Sequence, residues 1–165
     1  MSKTEAFLAE FKRETASTKR MLERVPIDKL AWRPHEKSNS LEQLAKHIAN
    51  LPNMLYYAII ADERNLAGLQ PLPPIESKEQ LMSFFEENCA KVLTAFESFS
   101  DDSLSRKWEL KAGDRVFIST TKEDAIRYMY FNHSIHHRGQ LSVYLRLLDV
   151  PVPGMYGPTA DEQMS

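Results

Sequence analysis

Cysteine and glycine are scarce in this 165-residue sequence, and both shortages exclude particular kinds of protein. The single cysteine, Cys89, cannot form an internal disulfide, which is typical of proteins from a reducing compartment. Only five glycines are present and no Gly-rich loop occurs, so the phosphate-binding loops of nucleotide-binding proteins are missing. The chain offers neither a disulfide scaffold nor a nucleotide site of those types.

The sequence also lacks a long hydrophobic run and a strong net charge. No stretch approaches the roughly 20 apolar residues of a membrane-spanning helix, and the start Met-Ser-Lys-Thr-Glu has no signal-peptide core. The formal net charge is −2 and lysine and arginine are not clustered, which argues against binding to a nucleic-acid backbone. We therefore expect a cytoplasmic protein that binds neither nucleic acid nor membrane.

Hydrophobic residues make up 42% of the chain and recur at the three- and four-residue spacing of amphipathic helices. This spacing predicts four helices, at about residues 2–25, 40–65, 77–100 and 122–149. Ser40 and Ser77 suit N-cap positions, because each is followed three residues later by a glutamine, as in a capping box. The segments 27–39 and 66–76 are predicted to be irregular connections.

The apolar residues of segment 101–120 do not follow the helical spacing. Two short apolar segments, 108–110 and 116–118, flank residues 111–114, so a short β-hairpin is expected before the fourth helix. Two strands alone are marginally stable, so this hairpin must lie on the helices. The length favours one domain over residues 1–165, and its predicted class is an all-α four-helix bundle with this insert.

Three of the five histidines lie within residues 133–137, inside the predicted fourth helix. His133 and His137 are four residues apart, so on a helix they share one face and can share a metal ion. The side chain of His136 is rotated by roughly 100° around the helix axis from that of His137. The inward face carries an apolar stripe that consists of Ile126, Tyr130, Leu141, Tyr144 and Leu148. The same pattern also suits two core histidines that hydrogen-bond to neighbouring hydroxyls and carboxylates, so both interpretations stand at this point.

The fourth helix carries a second apolar stripe on the side opposite the histidines, formed by Tyr128, Phe131 and Ile135. A helix that is apolar on two sides is buried on two sides. In a four-helix domain of this size, the extra side favours a subunit contact. We therefore expect a homodimer.

Four short segments spread over most of the chain carry a family resemblance. They are Trp32-Arg33-Pro34 and residues 40–48, 133–141 and 152–158. In this order and at this spacing they resemble the DinB/YfiT-like family of metalloenzymes, whose members are four-helix bundles. In that family, one histidine of helix 2 and two of helix 4 hold a divalent metal, often zinc or nickel. The matching positions in this sequence are His47, His133 and His137.

The resemblance also implies an activity. Similar enzymes include thiol S-transferases that use bacillithiol or mycothiol, and an isomerase that uses mycothiol. Three histidine ligands leave a coordination position open for water or substrate, as at catalytic zinc sites. The expected function is a metal-dependent thiol S-transferase with a low-molecular-weight thiol as co-substrate and a small-molecule substrate. The alternatives are a metal-dependent hydrolase and a non-catalytic, stress-related dimer in which the ion joins helices 2 and 4.

Three further residues have predicted roles. Arg138 follows a ligand, and its planar guanidinium suits a carboxylate of the thiol, although a surface charge explains it equally well. Gln140 lies near the ligand face and is expected to orient an imidazole or a water molecule. Cys89 lies on the apolar face of the third helix and is expected to be an inert core thiol. The catalytic group is then the water or thiolate at the metal, rather than a side chain.

Overall fold

The structure is a computed structural model that describes residues 1–163. Its first three helices are α1 (Lys3–Glu23), α2 (Leu41–Ile60) and α3 (Lys78–Phe96). The fourth helix has three parts, which are α4 (Lys122–Ile126), a π-helical segment (Arg127–Asn132) and α5 (His133–Leu147). The residues that join these parts have right-handed helical backbone angles, so the fourth helix is continuous. The four predicted helices are confirmed.

Serine side chains begin the first three helices. The side chains of Ser2 and Ser40 each accept a hydrogen bond from the backbone N–H of the third residue of their helix, and the side-chain oxygen of that residue accepts one from the serine backbone N–H. Ser77 accepts from the Gln80 backbone, but the Gln80 side chain bonds the backbone of Glu76 instead. The capping box predicted at Ser77 is therefore only half formed.

The fold is mostly helical rather than all-α, because it includes a three-stranded sheet. The predicted hairpin is present as β2 (Lys107–Ala112) and β3 (Arg115–Thr121), paired antiparallel around Gly113, whose φ of +58° suits glycine. A third strand, β1 (Glu63–Asn65), pairs parallel with β2. The prediction that helix 2 extends to residue 65 is therefore wrong, because the backbone after Ile60 hydrogen-bonds to β2 instead of continuing the helix.

Two buried side chains attach the sheet to the helices. Trp108 of β2 is fully buried among apolar residues of the helices. Lys122, at the start of α4, donates hydrogen bonds to the carbonyl oxygens of Ile59 (2.9 Å) and Ala61 (2.6 Å) at the end of α2. The hairpin is thus held against the helices beside the first turns of the fourth helix.

The π-helical segment alters which residues of the fourth helix face the core. A π turn holds more residues than an α turn, so it shifts the phase of every side chain after it. Phe131 is 1% exposed and stacks on Phe7 with ring centroids 5.9 Å apart, whereas Tyr128 and Ile135 are 61% and 42% exposed. The second apolar stripe predicted for this helix is therefore wrong as a single surface, because Phe131 belongs to the core.

The buried apolar residues form two clusters along the bundle. The hairpin-side cluster consists of Phe7, Phe11, Leu51, Leu55, Ala58, Ile59, Val92, Ala95, Phe96, Leu104, Trp108, Ala125, Ile126, Met129, Tyr130 and Phe131. The tail-side cluster consists of Met21, Leu22, Val25, Leu41, Leu44, Ala45, Ile48, Ala49, Ile75, Leu81, Phe85, Leu141, Tyr144, Leu145 and Val152. In the described part of the chain, no helix is long and apolar enough to cross a membrane.

Between the two clusters lie five buried polar residues, which we call the polar layer. They are Glu14 and Thr18 of α1, Asn88 of α3, and Ser134 and Arg138 of α5. Asn88 donates a hydrogen bond of 3.2 Å to the carbonyl oxygen of Ala49, the last α2 residue of the tail-side cluster. The middle of the bundle is thus polar, and the histidines of α5 lie at this level.

Candidate metal centre

His47, His133 and His137 converge in the structure. α2 supplies His47 and the first two turns of α5 supply the other two, and all three rings are half-buried. Each ring offers a nitrogen that lies within 4.8 Å of the other two, and the Nε2 atoms of His47 and His133 are 3.1 Å apart. The ring centroids are separated by 4.5 to 4.9 Å. The structure therefore brings together the three residues that the resemblance implied.

A hydrogen bond to a neighbouring side chain orients the His137 ring. Nδ1 of His137 donates to Oε1 of Gln140 over 2.7 Å, which leaves Nε2 as the free ligand atom. The backbone carbonyl of Met129 acts on the His133 ring in the direction that raises its pKa, and Nε2 of His133 faces His47. Partners of this kind fix the tautomer and the direction of a metal-binding imidazole. Gln140 therefore occupies the orienting position expected for it.

Burial keeps these rings neutral at neutral pH. The pKa of His47 is lowered to about 4, chiefly by burial and also by the neighbouring His137 and His133. Burial is also the main reason why the pKa of His133 and that of His137 are lowered. A metal ion binds the unprotonated ring, so all three imidazoles are in the binding form.

The residues fit a divalent ion. With zinc–nitrogen bonds of about 2.0–2.1 Å, tetrahedral geometry places ligand nitrogens about 3.3 Å apart, close to the observed 3.1 Å. Among residues 1–163, the hydrogen bond found for the His47 ring goes to His133 rather than to a hydroxyl or carboxylate. No carboxylate joins the cluster in that part of the chain. Two like nitrogens facing each other favour a metal site over a pair of structural core histidines.

His136 stays outside the cluster. Its ring is exposed and packs edge-on against that of His137, with centroids 4.9 Å apart. The sequence placed it off the inward face, and the structure agrees.

Arg138 has a different role from the two that the sequence allowed. Its guanidinium is 0% exposed and pairs with the Glu14 carboxylate and the Tyr156 hydroxyl. It also donates to the Glu14 carbonyl (2.7 Å) and to the Thr18 hydroxyl (3.0 Å). Neither the surface charge nor the pairing with a thiol carboxylate is right, because the group is buried and already bonded within the bundle.

Glu14 was missed by the sequence reasoning, although a signal was present. It lies on the buried face of α1 between Phe11 and Thr18, at a position where the helical spacing predicts an apolar residue. Tyr156 donates a hydrogen bond of 2.5 Å to its carboxylate. Burial and this bond raise the pKa of Tyr156 to about 12. A charged residue within an apolar stripe indicates a buried partner, here Arg138.

A pocket of about 510 Å³ opens beside His133. It lies between the hairpin and the fourth helix, on the hairpin side of the polar layer. Its lining residues are Leu110, Ile118, Tyr128, Met129, Asn132, His133 and His136. One of the converging histidines therefore also forms part of a cavity wall.

Comparison with known proteins decides the family. The model of the DinB family matches residues 1–164. The chain belongs to the DinB family. A related DinB protein, the uncharacterized protein YjoA of Bacillus subtilis, is 27% identical over 129 residues, which cover 78% of this chain and 80% of YjoA.

Solved structures show the same fold. A DinB-like protein from Bacillus cereus superposes with a TM-score of 0.73 at 21% identity, over 92% of this DinB chain and 97% of that protein. The crystal structure of YjoA gives a TM-score of 0.66 at 20% identity, over 96% and 99% of the two chains. The mycothiol-dependent maleylpyruvate isomerase gives 0.51 at 14% identity, over 91% of this chain and 64% of the isomerase. The DinB fold is thus shared with a protein named for its thiol dependence.

Proposed function

We propose that this DinB protein is a metal-dependent S-transferase that joins a low-molecular-weight thiol to a small electrophilic molecule. His47, His133 and His137 would hold one divalent ion, zinc or nickel. The observation that carries the proposal is the convergence of three neutral ring nitrogens. The rings are half-buried, so small molecules reach them from solvent.

The roles of the chain's own residues follow from their positions. The three imidazoles would act as ligands, and Gln140 holds that of His137 in direction. When bound, a divalent ion supplies a Lewis acid that makes a thiol or water in its open position more acidic. No carboxylate joins the cluster in residues 1–163 to act as a general base on water, which favours the thiol over hydrolysis.

The reacting thiol must come from outside the chain. Cys89 is the only cysteine, and it packs against both apolar clusters. Burial raises its pKa to about 12, so it is not a nucleophile at neutral pH. The isomerase that shares the fold is mycothiol-dependent, which supports a small-molecule thiol here. A single inert cysteine also suits the cytoplasm, where we propose that the protein works.

The function is tested by offering the zinc-loaded and nickel-loaded protein a set of small thiols. Bacillithiol, mycothiol, glutathione and coenzyme A are each mixed with 1-chloro-2,4-dinitrobenzene. Transfer forms a carbon–sulfur bond and releases chloride and the thiol proton, and the coloured product is followed by absorbance. We expect one thiol to give a rate that disappears on metal removal and in His137→Ala. An ion-loaded protein that is inactive with every thiol but hydrolyses nitrophenyl esters would replace the proposal with a hydrolase.

We also propose that the protein is a homodimer that associates through the fourth helix. Ile135, Val143 and Leu147 are large apolar side chains exposed on this helix. Light scattering is expected to give twice the 19.0 kDa of one chain, and Ile135→Glu should halve this mass. Leu93→Glu is the matched control, since Leu93 is an exposed leucine on α3. A 19.0 kDa particle for the unmodified protein at all micromolar concentrations would rule out the dimer.

A further inference from the structure

We infer that the pocket beside His133 binds the electrophilic substrate through a neutral, apolar portion, such as an aromatic ring. This inference rests on the proposed function, because it names the substrate class for that site. It assigns Ile118 and Tyr128 as specificity-determining residues.

The position of the pocket places a bound molecule next to the candidate metal centre. His133 contributes Nε2 to the nitrogen cluster and also lines the pocket. A molecule in this pocket therefore contacts His133, a residue that would also bind the ion. By contrast, the lining of a smaller cavity of about 270 Å³ beside Lys46 includes none of the three histidines.

The chemistry of the walls selects a neutral molecule. Leu110 and Ile118 form the hairpin wall, and Met129 contributes to the helical wall. None of the lining residues found in the described chain carries a carboxylate, ammonium or guanidinium group. A charged group placed here would lose water without gaining an ion pair, which is costly. The volume of about 510 Å³ lies in the range of small-molecule sites, about 300–1,000 Å³.

The helical rim adds an aromatic ring and two polar groups. Tyr128, Asn132 and His136 all line this pocket, so they lie along one side of the fourth helix. All three are exposed, and the Tyr128 ring is free to stack on an aromatic substrate. Asn132 and His136 supply hydrogen-bonding groups at the solvent side. An aromatic molecule with a polar substituent that points to solvent matches this arrangement.

The test measures binding of N-phenyl-1-naphthylamine, a neutral apolar dye whose fluorescence rises on binding. Ile118→Glu places a carboxylate in the apolar wall and should raise the Kd of the dye at least about tenfold. Phe117→Glu is the matched control, because it adds the same charge to the neighbouring residue of β3, which does not line the pocket. We expect the control to change Kd by less than about twofold. If Ile118→Glu fails a thermal-melting check, Tyr128→Ala at the exposed rim is used instead and should weaken binding at least about threefold.

Ion content is measured in the same samples, so failures of the two proposals are distinguishable. Dye binding that is equally weakened by both glutamate variants, or absent from an ion-loaded protein, would overturn the pocket inference and leave the S-transferase proposal intact. Tighter binding of the anionic dye 1-anilinonaphthalene-8-sulfonate would also overturn it. Dye binding that depends on Ile118 in a protein that takes up no ion would support the pocket while contradicting the proposed function.

Discussion

His137→Ala is expected to abolish tight binding of a divalent ion, whereas His136→Ala should retain about one ion per chain. His137 directs Nε2 toward the cluster, and His136 is exposed outside it. Losing a group that only orients a ligand typically costs 10- to 100-fold in affinity, so losing a ligand should cost more than about 100-fold. Affinities are measured by competition with a chelating dye, and ion content by mass spectrometry of the purified proteins.

Gln140→Ala gives an intermediate case for the same measurement. It removes the acceptor for His137 Nδ1 and leaves all three ligands, so affinity should fall by about 10- to 100-fold. Equal losses in His136→Ala and His137→Ala would show that the assignment of the inward ring is wrong. An ion content unaffected by the double replacement of His133 and His137 would eliminate the site.

The pH dependence of this site follows from the lowered pKa values. The pKa of His47 is about 4 in the folded protein, against about 6.5 for a free imidazole, so protons compete with the ion only at low pH. The metal-free unfolded chain binds more protons than the folded one between these values, so folded-state stability falls as pH drops from about 6.5 toward about 4. Denaturation of the metal-free protein across this window should show the loss, and His47→Ala should reduce it.

Glu14→Gln is expected to lower the free energy of unfolding by about 3–5 kcal/mol, the usual cost of leaving one member of a buried ion pair alone. The Arg138 guanidinium would remain fully buried without its carboxylate. Urea denaturation of the metal-free protein measures the change, so ion binding does not contribute to it. Tyr156→Phe should cost about 1.5–3 kcal/mol, because it removes only a hydrogen bond to the charged pair.

Glu10→Gln is the matched control for this effect. Glu10 lies one turn earlier on α1 and pairs with Arg127 at the surface, where ion pairs contribute about 0–1 kcal/mol. If Glu10→Gln and Glu14→Gln lowered the free energy of unfolding by similar amounts, the buried pair would stabilise the fold no more than the surface pair.

Local patterns in the sequence were sufficient to predict the helices and the inward direction of His133 and His137. The cap at Ser40 and the three- and four-residue spacing depend on neighbouring residues only. His47 was different, because its helical phase did not distinguish it from other polar residues and the resemblance supplied it. In the structure its Nε2 lies 3.1 Å from that of His133, a residue of another helix and 86 positions away.

The features that the sequence reasoning missed depend on distant partners. Glu63–Asn65 has no alternating pattern of its own, and it becomes a strand because β2 offers backbone groups to pair with. Phe131 faces the core because the π-helical segment shifts the helical phase, which a constant 100° per residue does not anticipate. Arg138 is buried because α1 places Glu14 opposite it. Each outcome is fixed by packing between elements rather than by the local sequence.

The polar layer also bears on how relatives of this protein can diverge. It lies between the two apolar clusters, which share a contact at Cys89, so changes of side-chain volume far from that thiol should have nearly independent effects on the two sides. The hairpin-side cluster adjoins the pocket through Met129, whereas the tail-side cluster is on the far side of the layer. Mutations can therefore accumulate at the pocket end and alter substrate preference, while the opposite end continues to supply stability.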